Sequence, residues 1–137
     1  MARKVKRVIL DTNIFISYLI GGTMTSIDNL ILDRNIKLIY SSELLKEILD
    51  VVQRPKLMKY FSIEDVNLLL DFLEQDAEFV PVVSKIKVCR DPKDDFLLAL
   101  AYDANADYLV TGDEDLLEIK VFKKTEILTM KDFLRRF

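Results

Sequence analysis

Short apolar runs along the chain alternate with longer stretches in which apolar residues recur at helical spacing. Runs with the length and apolar character of buried strands lie at residues 5–10, 36–40, 108–110 and 127–128. Residues 79–83 also resemble a strand, but they include Pro81, which favours a sheet edge or a connector. The pattern therefore predicts a sheet whose strands are separated by helices.

Helices are predicted in the segments between the strands, over residues 13–19, 26–33, 42–52, 62–73 and 91–102, and again after Thr129. Ser41 and Ser62 are suitable N-caps, and Pro55 ends the helix that Ser41 begins. The helix after Asp91 and Pro92 is apolar on nearly all sides, so we expect it to be buried against the centre of the sheet.

Strands that alternate with helices imply a parallel sheet covered on both faces. The length of 137 residues suits one domain. We therefore predict a single α/β domain over residues 1–137, with three α/β/α layers around a central parallel sheet.

Composition narrows the setting and the chemistry. The single Cys89 precludes an intramolecular disulfide and favours a reducing compartment. The basic start of the chain leads directly into a strand, without the apolar region of a signal peptide, and no run approaches the ~20 apolar residues of a membrane span. We therefore predict a cytoplasmic protein. The net charge of −3 predicts no general attraction to nucleic acid.

The chain contains no histidine. This excludes a Ser-His triad, histidine as a general base and histidine-rich zinc sites. Hydrolysis by this protein would have to use carboxylates, lysine, tyrosine, hydroxyls or metal-activated water.

Acidic residues stand where two predicted strands end. Asp11 follows the first strand, and Asp113 and Asp115 follow the strand at residues 108–110. Ligands of an open α/β sheet bind at the carboxyl ends of its strands, so these acids are placed for chemistry. Capping of the next helix explains each of them as well, and the sequence leaves the two interpretations open.

Other acids are harder to rank. Asp91 and Asp94 are explained as a helix cap and its partner, whereas Asp95 enters the apolar helix and would need a cation or a basic residue to offset its burial. Glu47 is indistinguishable from Glu43 and Asp50, because all lie off the apolar stripe of their helix.

Carboxylates without histidine or cysteine ligands favour Mg²⁺ or Mn²⁺ over zinc. Because Mg²⁺ commonly pairs with phosphate, phosphoryl transfer or phosphodiester hydrolysis is the chemistry that these acids indicate.

The strings VILDTNIFISYL, SSELLKEI, DPKDDFLLALAYDANADYLVTGDEDLL and ILTMKDFL together resemble the PIN-domain ribonucleases, most of all the VapC-like toxins of toxin–antitoxin pairs. The resemblance implies that four acids bind Mg²⁺ or Mn²⁺ and cleave RNA. By motif match they are Asp11, Glu47, Asp95 and Asp113, with Asp115 as a neighbouring metal ligand. Asn13 and Thr111 match positions that orient the acids or their waters.

The resemblance also implies a homodimer or higher homo-oligomer and a small antitoxin partner. Weaker candidates for holding the RNA backbone are the basic residues Arg54, Lys56, Arg90 and Lys93. Three alternatives remain: a PIN nuclease of RNA processing or quality control, phosphotransfer through an aspartyl-phosphate on Asp11, and a metal-binding interaction module without turnover.

Overall fold

The computed structural model describes residues 5–21, 29, 35–88 and 91–137, without the side chain of Lys93. Its strands are β1 (Lys6–Leu10), β2 (Ile36–Tyr40), β3 (Glu78–Phe79), β4 (Tyr108–Val110), β5 (Val121–Phe122) and β6 (Thr125–Leu128). Its helices are α1 (Thr12–Gly21), α2 (Ser42–Val52), α3 (Pro55–Met58), α4 (Ile63–Asp76), α5 (Pro92–Asp103), α6 (Glu114–Ile119) and α7 (Met130–Leu134). The helix predicted at residues 26–33 lies outside this description, apart from Asn29.

Within the described ranges the strands form one sheet in the order β3-β2-β1-β4-β6-β5. All neighbours are parallel except β5, which pairs antiparallel with β6 at the edge. Helices flank the sheet, so the predicted three-layer α/β fold is confirmed, with β5 as an antiparallel addition that the pattern did not indicate.

Short local signals begin several helices. The Ser41 hydroxyl accepts a hydrogen bond from the Leu44 N–H at 3.2 Å, which caps α2. Ser62 and Asp65 form the capping box of α4, each side chain accepting from the other's backbone N–H. These contacts satisfy N–H groups that an α-helix leaves unpaired in its first turn. The caps predicted at Ser41 and Ser62 are confirmed.

The core is formed by the central strands and the helix faces that cover them. Ile9, Leu109 and Val110 are completely buried, as both faces of a covered parallel sheet require. The prediction that α5 is buried on nearly all sides is only partly correct. Its residues 97–101 are buried, but Phe96 and Tyr102 are 51% and 50% exposed. None of the described helices combines the length and apolar character needed to cross a bilayer.

The side chain of Arg7, on β1, joins the edge strand β3 to the end of α5. Its guanidinium donates two hydrogen bonds to the Glu78 carboxylate of β3, at 2.7 and 3.0 Å, and a third to the Ala104 carbonyl after α5 at 2.8 Å. The hydrogen bonds from Arg7 lower the pKa of Glu78. This clamp fixes the short strand β3 beside β2.

Candidate metal centre

Asp11 and Asp113 are brought together because β1 and β4 are parallel neighbours. Leu10 is in register with Val110, and the Asp11 N–H donates to the Val110 carbonyl at 2.9 Å. The residue after each strand therefore emerges at the same edge of the sheet, where ligands of open α/β sheets bind.

Thr111 connects these two acids. It is completely buried, and its hydroxyl donates to Asp11 Oδ2 at 2.7 Å while accepting from the Asp113 N–H at 3.0 Å. Asp11 Oδ1 accepts from the Thr12 N–H at 2.7 Å. Because its hydroxyl bonds to the Asp11 carboxylate and to the Asp113 backbone, Thr111 orients the two acids relative to each other.

Asp113 carries out the capping that the sequence left open for it. Its Oδ1 accepts from the Asp115 N–H at 2.8 Å and from the Leu116 N–H at 3.1 Å, at the start of α6. Both bonds use the same oxygen, so capping occupies only one side of the carboxylate. Carboxylate oxygens of Asp94, Asp113 and Asp115 lie within 4.8 Å of one another, a spacing that would allow them to share one cation. Capping and metal binding are therefore compatible at Asp113.

The structure brings Asp94, rather than the predicted Asp95, into this acidic cluster. Asp94 is 8% exposed. Along α5 it lies at i−3, i−4 and i−7 from Leu97, Leu98 and Ala101, all of them buried, so it belongs to the face that packs on the sheet.

Asp95 points elsewhere, and its assignment to the cluster is corrected. Its carboxylate accepts a hydrogen bond from the Val88 N–H at 2.9 Å, and it lines a groove with Lys85 and Phe96. The predicted burial of Asp95 is wrong, because its side chain is only partly buried and accepts a hydrogen bond from the Val88 N–H. The neighbouring position carries the buried carboxylate.

The electrostatics of the cluster are those of acids confined together. The pKa of Asp94 is raised to about 6, first by burial and then by the negative charges of Asp113, Asp91, Asp11 and Asp115. Burial also raises the pKa of Asp11, against hydrogen bonds from Thr111 and Thr12 that lower it, while the charges of Glu47 and Asp113 add to the increase. Both carboxylates would gain from a cation that compensates their charge.

Glu47 lies on α2 close enough for its charge to act on Asp11. It also lines a small cavity between α2 and α5 together with Glu43, Phe96 and Leu97. Glu43 Oε1 is buried there without a hydrogen-bond partner among the described residues. The apolar pattern did not separate Glu43, Glu47 and Asp50, and the resemblance selected Glu47. Glu43 and Glu47 both line this cavity, and the charge of Glu47 acts on Asp11.

No contact with the acids is observed for the remaining predicted residues in the part of the chain that the structure describes. Asn13 is exposed on α1, and its side chain makes no hydrogen bond to the other described residues. Arg54 and Lys56 come after the end of α2, which carries Glu47, and Lys56 lies on α3. Arg90 and the side chain of Lys93 lie outside the described part of the chain.

Only oxygen ligands are available in this cluster, a donor set that matches Mg²⁺, Mn²⁺ or Ca²⁺. The residues present thus suit a divalent cation. The observation that supports this is the buried Asp94 carboxyl, which no described basic residue neutralises.

Comparison with known proteins agrees with the fold and the motifs. A family model described as PIN domain matches residues 7–115. An uncharacterized protein of Methanocaldococcus jannaschii is 32% identical, over 96% of this chain and 91% of its own length. The crystal structure of VapBC2 from Rickettsia felis, bound to a DNA fragment from their promoter, includes a chain that is similar with a TM-score of 0.60 and 19% identity. The match covers 88% of this chain and 96% of that one. The chain belongs to the PIN domain family.

Proposed function

We propose that this protein is a metal-dependent endoribonuclease in which Asp11, Glu47, Asp94 and Asp113 bind Mg²⁺ or Mn²⁺, with Asp115 as an additional ligand. The observation that carries the proposal is the acidic cluster around the buried Asp94, whose pKa is raised to about 6 when no cation compensates its charge. PIN domains are nucleases, which makes phosphodiester hydrolysis the reaction to expect at such a cluster.

The chain's own residues have distinct tasks in this proposal. Thr111 holds one oxygen of Asp11 through its hydroxyl, and the Thr12 N–H holds the other. The capping bonds of α6 fix the Asp113 side chain through Oδ1. Burial of Asp94 and Asp11 excludes water from one side of the cluster, which strengthens every charge interaction inside it.

A bound divalent cation would supply Lewis-acid activation of water and compensation of the phosphate charge. The carboxylates alone would repel the substrate's phosphate. Their task in this proposal is to hold the cation that compensates the phosphate charge. RNA is proposed as the substrate on the strength of the motif resemblance to the PIN-domain ribonucleases.

A toxin role is the finer part of the proposal. The similar Rickettsia felis structure is a VapBC2 assembly, which supports a small antitoxin as partner for this chain. A homodimer or higher homo-oligomer and a cytoplasmic location belong to the same proposal. RNA processing or quality control would use the same catalytic centre without an antitoxin.

Phosphotransfer through Asp11 is less well supported. Aspartyl-phosphate chemistry needs a basic group near the acids, but each charged group that shifts the pKa of Asp11 or Asp94 among the described residues is itself a carboxylate. A metal-binding module without turnover has the same cluster and differs only in the outcome of a cleavage assay.

The test compares two adjacent isosteric variants, Asp94→Asn and Asp95→Asn, in cleavage of an end-labelled RNA with Mg²⁺, Mn²⁺ or EDTA. We expect the wild type to cleave only with metal. Asp94→Asn should lose about 100-fold or more of the rate, because it removes a charged ligand, whereas Asp95→Asn should stay within about threefold of wild type.

Loss of activity in Asp95→Asn with retention in Asp94→Asn would refute the assignment of the third acid. Metal-dependent stabilisation of the wild type without cleavage of any RNA would favour the binding module. Circular dichroism of both variants controls for folding.

A further inference from the structure

The exposed face of α5 forms one side of a groove that the acidic cluster does not use. Two adjoining depressions, of about 420 and about 400 Å³, share Ser84, Lys85 and Ile86. We call them together the α5 groove and define it by the residues Lys85, Lys87, Phe96, Tyr102, Phe122 and Lys123.

The opposite wall of the groove is held in place by two carboxylates of α5. Asp103 accepts hydrogen bonds from the Val83 N–H at 2.7 Å, from the Ser84 N–H at 2.9 Å and from the Ser84 hydroxyl. Asp95 accepts from the Val88 N–H at 2.9 Å. The extended segment of residues 83–88 is therefore attached to the helix near both ends, and the groove exists before any ligand arrives.

The groove exposes aromatic and basic side chains together. Phe96 and Tyr102 are about half exposed on α5, and Lys85 and Lys87 are exposed on the facing segment. Exposed apolar surface of this kind marks a binding site more often than a plain surface. Aromatic rings beside lysines are the combination that binds single-stranded nucleic acid, because bases stack on the rings while ammonium groups neutralise phosphates.

Lys123 adds a third positive charge at the far end of the groove. It has φ of 56°, a left-handed conformation that glycine or asparagine adopts more readily. Its ammonium lies 5.8 Å from the centre of the Phe122 ring. The next residue, Lys124, instead pairs with Asp107 at 3.6 Å.

From these observations we infer that the α5 groove binds single-stranded RNA and leads it to the acidic cluster. The end of the groove that Pro92 and Asp95 line is the first turn of α5, which also carries Asp94, so the groove leads towards the end of the helix where the acidic cluster lies. From Pro92 to Tyr102 the helix rises about 15 Å, enough for about four stacked nucleotides. The identification of the strand as RNA rests on the proposed function.

Nucleic acid is favoured over an acidic peptide as the occupant. A peptide would use the lysines but would gain little from flat, half-exposed rings, whereas bases use both. The carboxylate that lines the groove, that of Asp95, already accepts a backbone hydrogen bond from Val88, which weakens its repulsion of a phosphate chain.

The test measures binding of a fluorescein-labelled 12-nucleotide single-stranded RNA to the full chain in EDTA, where cleavage cannot occur. We expect the double variant Lys85→Ala/Lys87→Ala to bind about tenfold or more weakly. Its affinity should also depend less steeply on salt, with a slope smaller by about 1.4, since each phosphate contact on a single strand contributes about 0.7. Phe96→Ala should weaken binding with an unchanged salt slope.

The matched control is Lys59→Ala/Lys131→Ala, which removes the same charge from exposed positions outside the groove. Equal losses in both double variants would overturn the proposal, as would competition by polyglutamate as strong as that by unlabelled RNA. RNA cleavage by a wild type that shows no measurable RNA binding in EDTA would also overturn it while leaving the nuclease intact. Binding that depends on Lys85 and Lys87 without cleavage in Mg²⁺ or Mn²⁺ would support the groove and refute the nuclease.

Discussion

Asp94 is a carboxyl group that the fold holds in unfavourable surroundings. It is buried, and the carboxylates of Asp11, Asp113 and Asp115 face it without a described basic partner. Burial of an uncompensated charge costs several kcal/mol, so in the metal-free protein the pKa of this group is raised and it keeps its proton up to a pH of about 6.

This leads to a pH dependence of stability with a defined sign. The pKa of Asp94 is raised to about 6 in the folded state, from a usual value of 3.8. Between these values the folded chain holds a proton that the unfolded chain has lost. The stabilising contribution is complete below pH 3.8 and is lost as the pH rises through 6. We expect this to lower the free energy of unfolding by about 1 to 3 kcal/mol between pH 4 and pH 7 in EDTA.

The measurement is urea unfolding of wild type and Asp94→Asn across that range. The difference between the two proteins isolates Asp94 from groups such as Glu78, whose lowered pKa gives the opposite trend. A wild-type minus variant difference that is constant with pH would contradict the prediction.

The sequence predicted that the strand-end acids lie close together, but it did not predict which acid of α5 lies beside them. Asp11 and Asp113 could be predicted because a strand end is visible in the pattern. Asp94 and Asp95 could not be separated, because a helix that is apolar on nearly all sides has no apolar stripe to mark its buried face. Positions i+3, i+4 and i+7 are apolar after both acids. The buried side is decided by the packing of α5 on β4 and on α2, which lies far from it in sequence.

Helix α5 has two faces with different surroundings. Its inner face carries Asp94 to the cluster, and its outer face exposes Phe96 and Tyr102 beside the lysines. The capped helices and the parallel strands were predictable because caps and apolar runs are local signals. β5 was missed because it has two residues and depends on pairing with β6.

The Arg7 clamp is the element-scale contact whose loss should be most easily measured. Arg7→Met removes two charge-assisted hydrogen bonds to Glu78 and one bond to Ala104. We expect the free energy of unfolding to fall by about 1 to 3 kcal/mol, because a bidentate, partly buried pair is worth more than an exposed one.

Arg135→Met is the matched control in the same denaturation experiment. Arg135 and Asp132 are exposed and 4.0 Å apart, so its replacement should cost less than about 0.5 kcal/mol. Equal effects of the two variants would show that the clamp contributes no more than an ordinary surface ion pair.

At the scale of the whole molecule, the net charge of −3 conceals an uneven distribution. Acids are concentrated at the carboxyl edge of the sheet, and lysines line the α5 groove. Whole-chain charge therefore gave no indication of nucleic-acid binding, whereas the local arrangement does.

Metal binding should stabilise the entire domain. Because the unfolded chain scatters the acids, a cation that binds only the folded state adds about 2.7 kcal/mol at a concentration 100 times its dissociation constant. We expect Mn²⁺ to raise the melting temperature of the wild type at pH 7 by several degrees. The melting temperature of Asp94→Asn should rise much less, and that of Asp95→Asn as in wild type. An equal rise in all proteins would place the cation outside the cluster.

Asp113 caps α6 and also lies in the acidic cluster, and this has a consequence for evolution. Asparagine caps helices about as well as aspartate does, so exchanging one oxygen of this side chain for nitrogen would keep α6 anchored while weakening its hold on a cation. If Asp113 binds the metal as proposed, one codon change would separate a working enzyme from a folded, inactive pseudoenzyme. Lineages that no longer need the activity could keep the scaffold for another purpose.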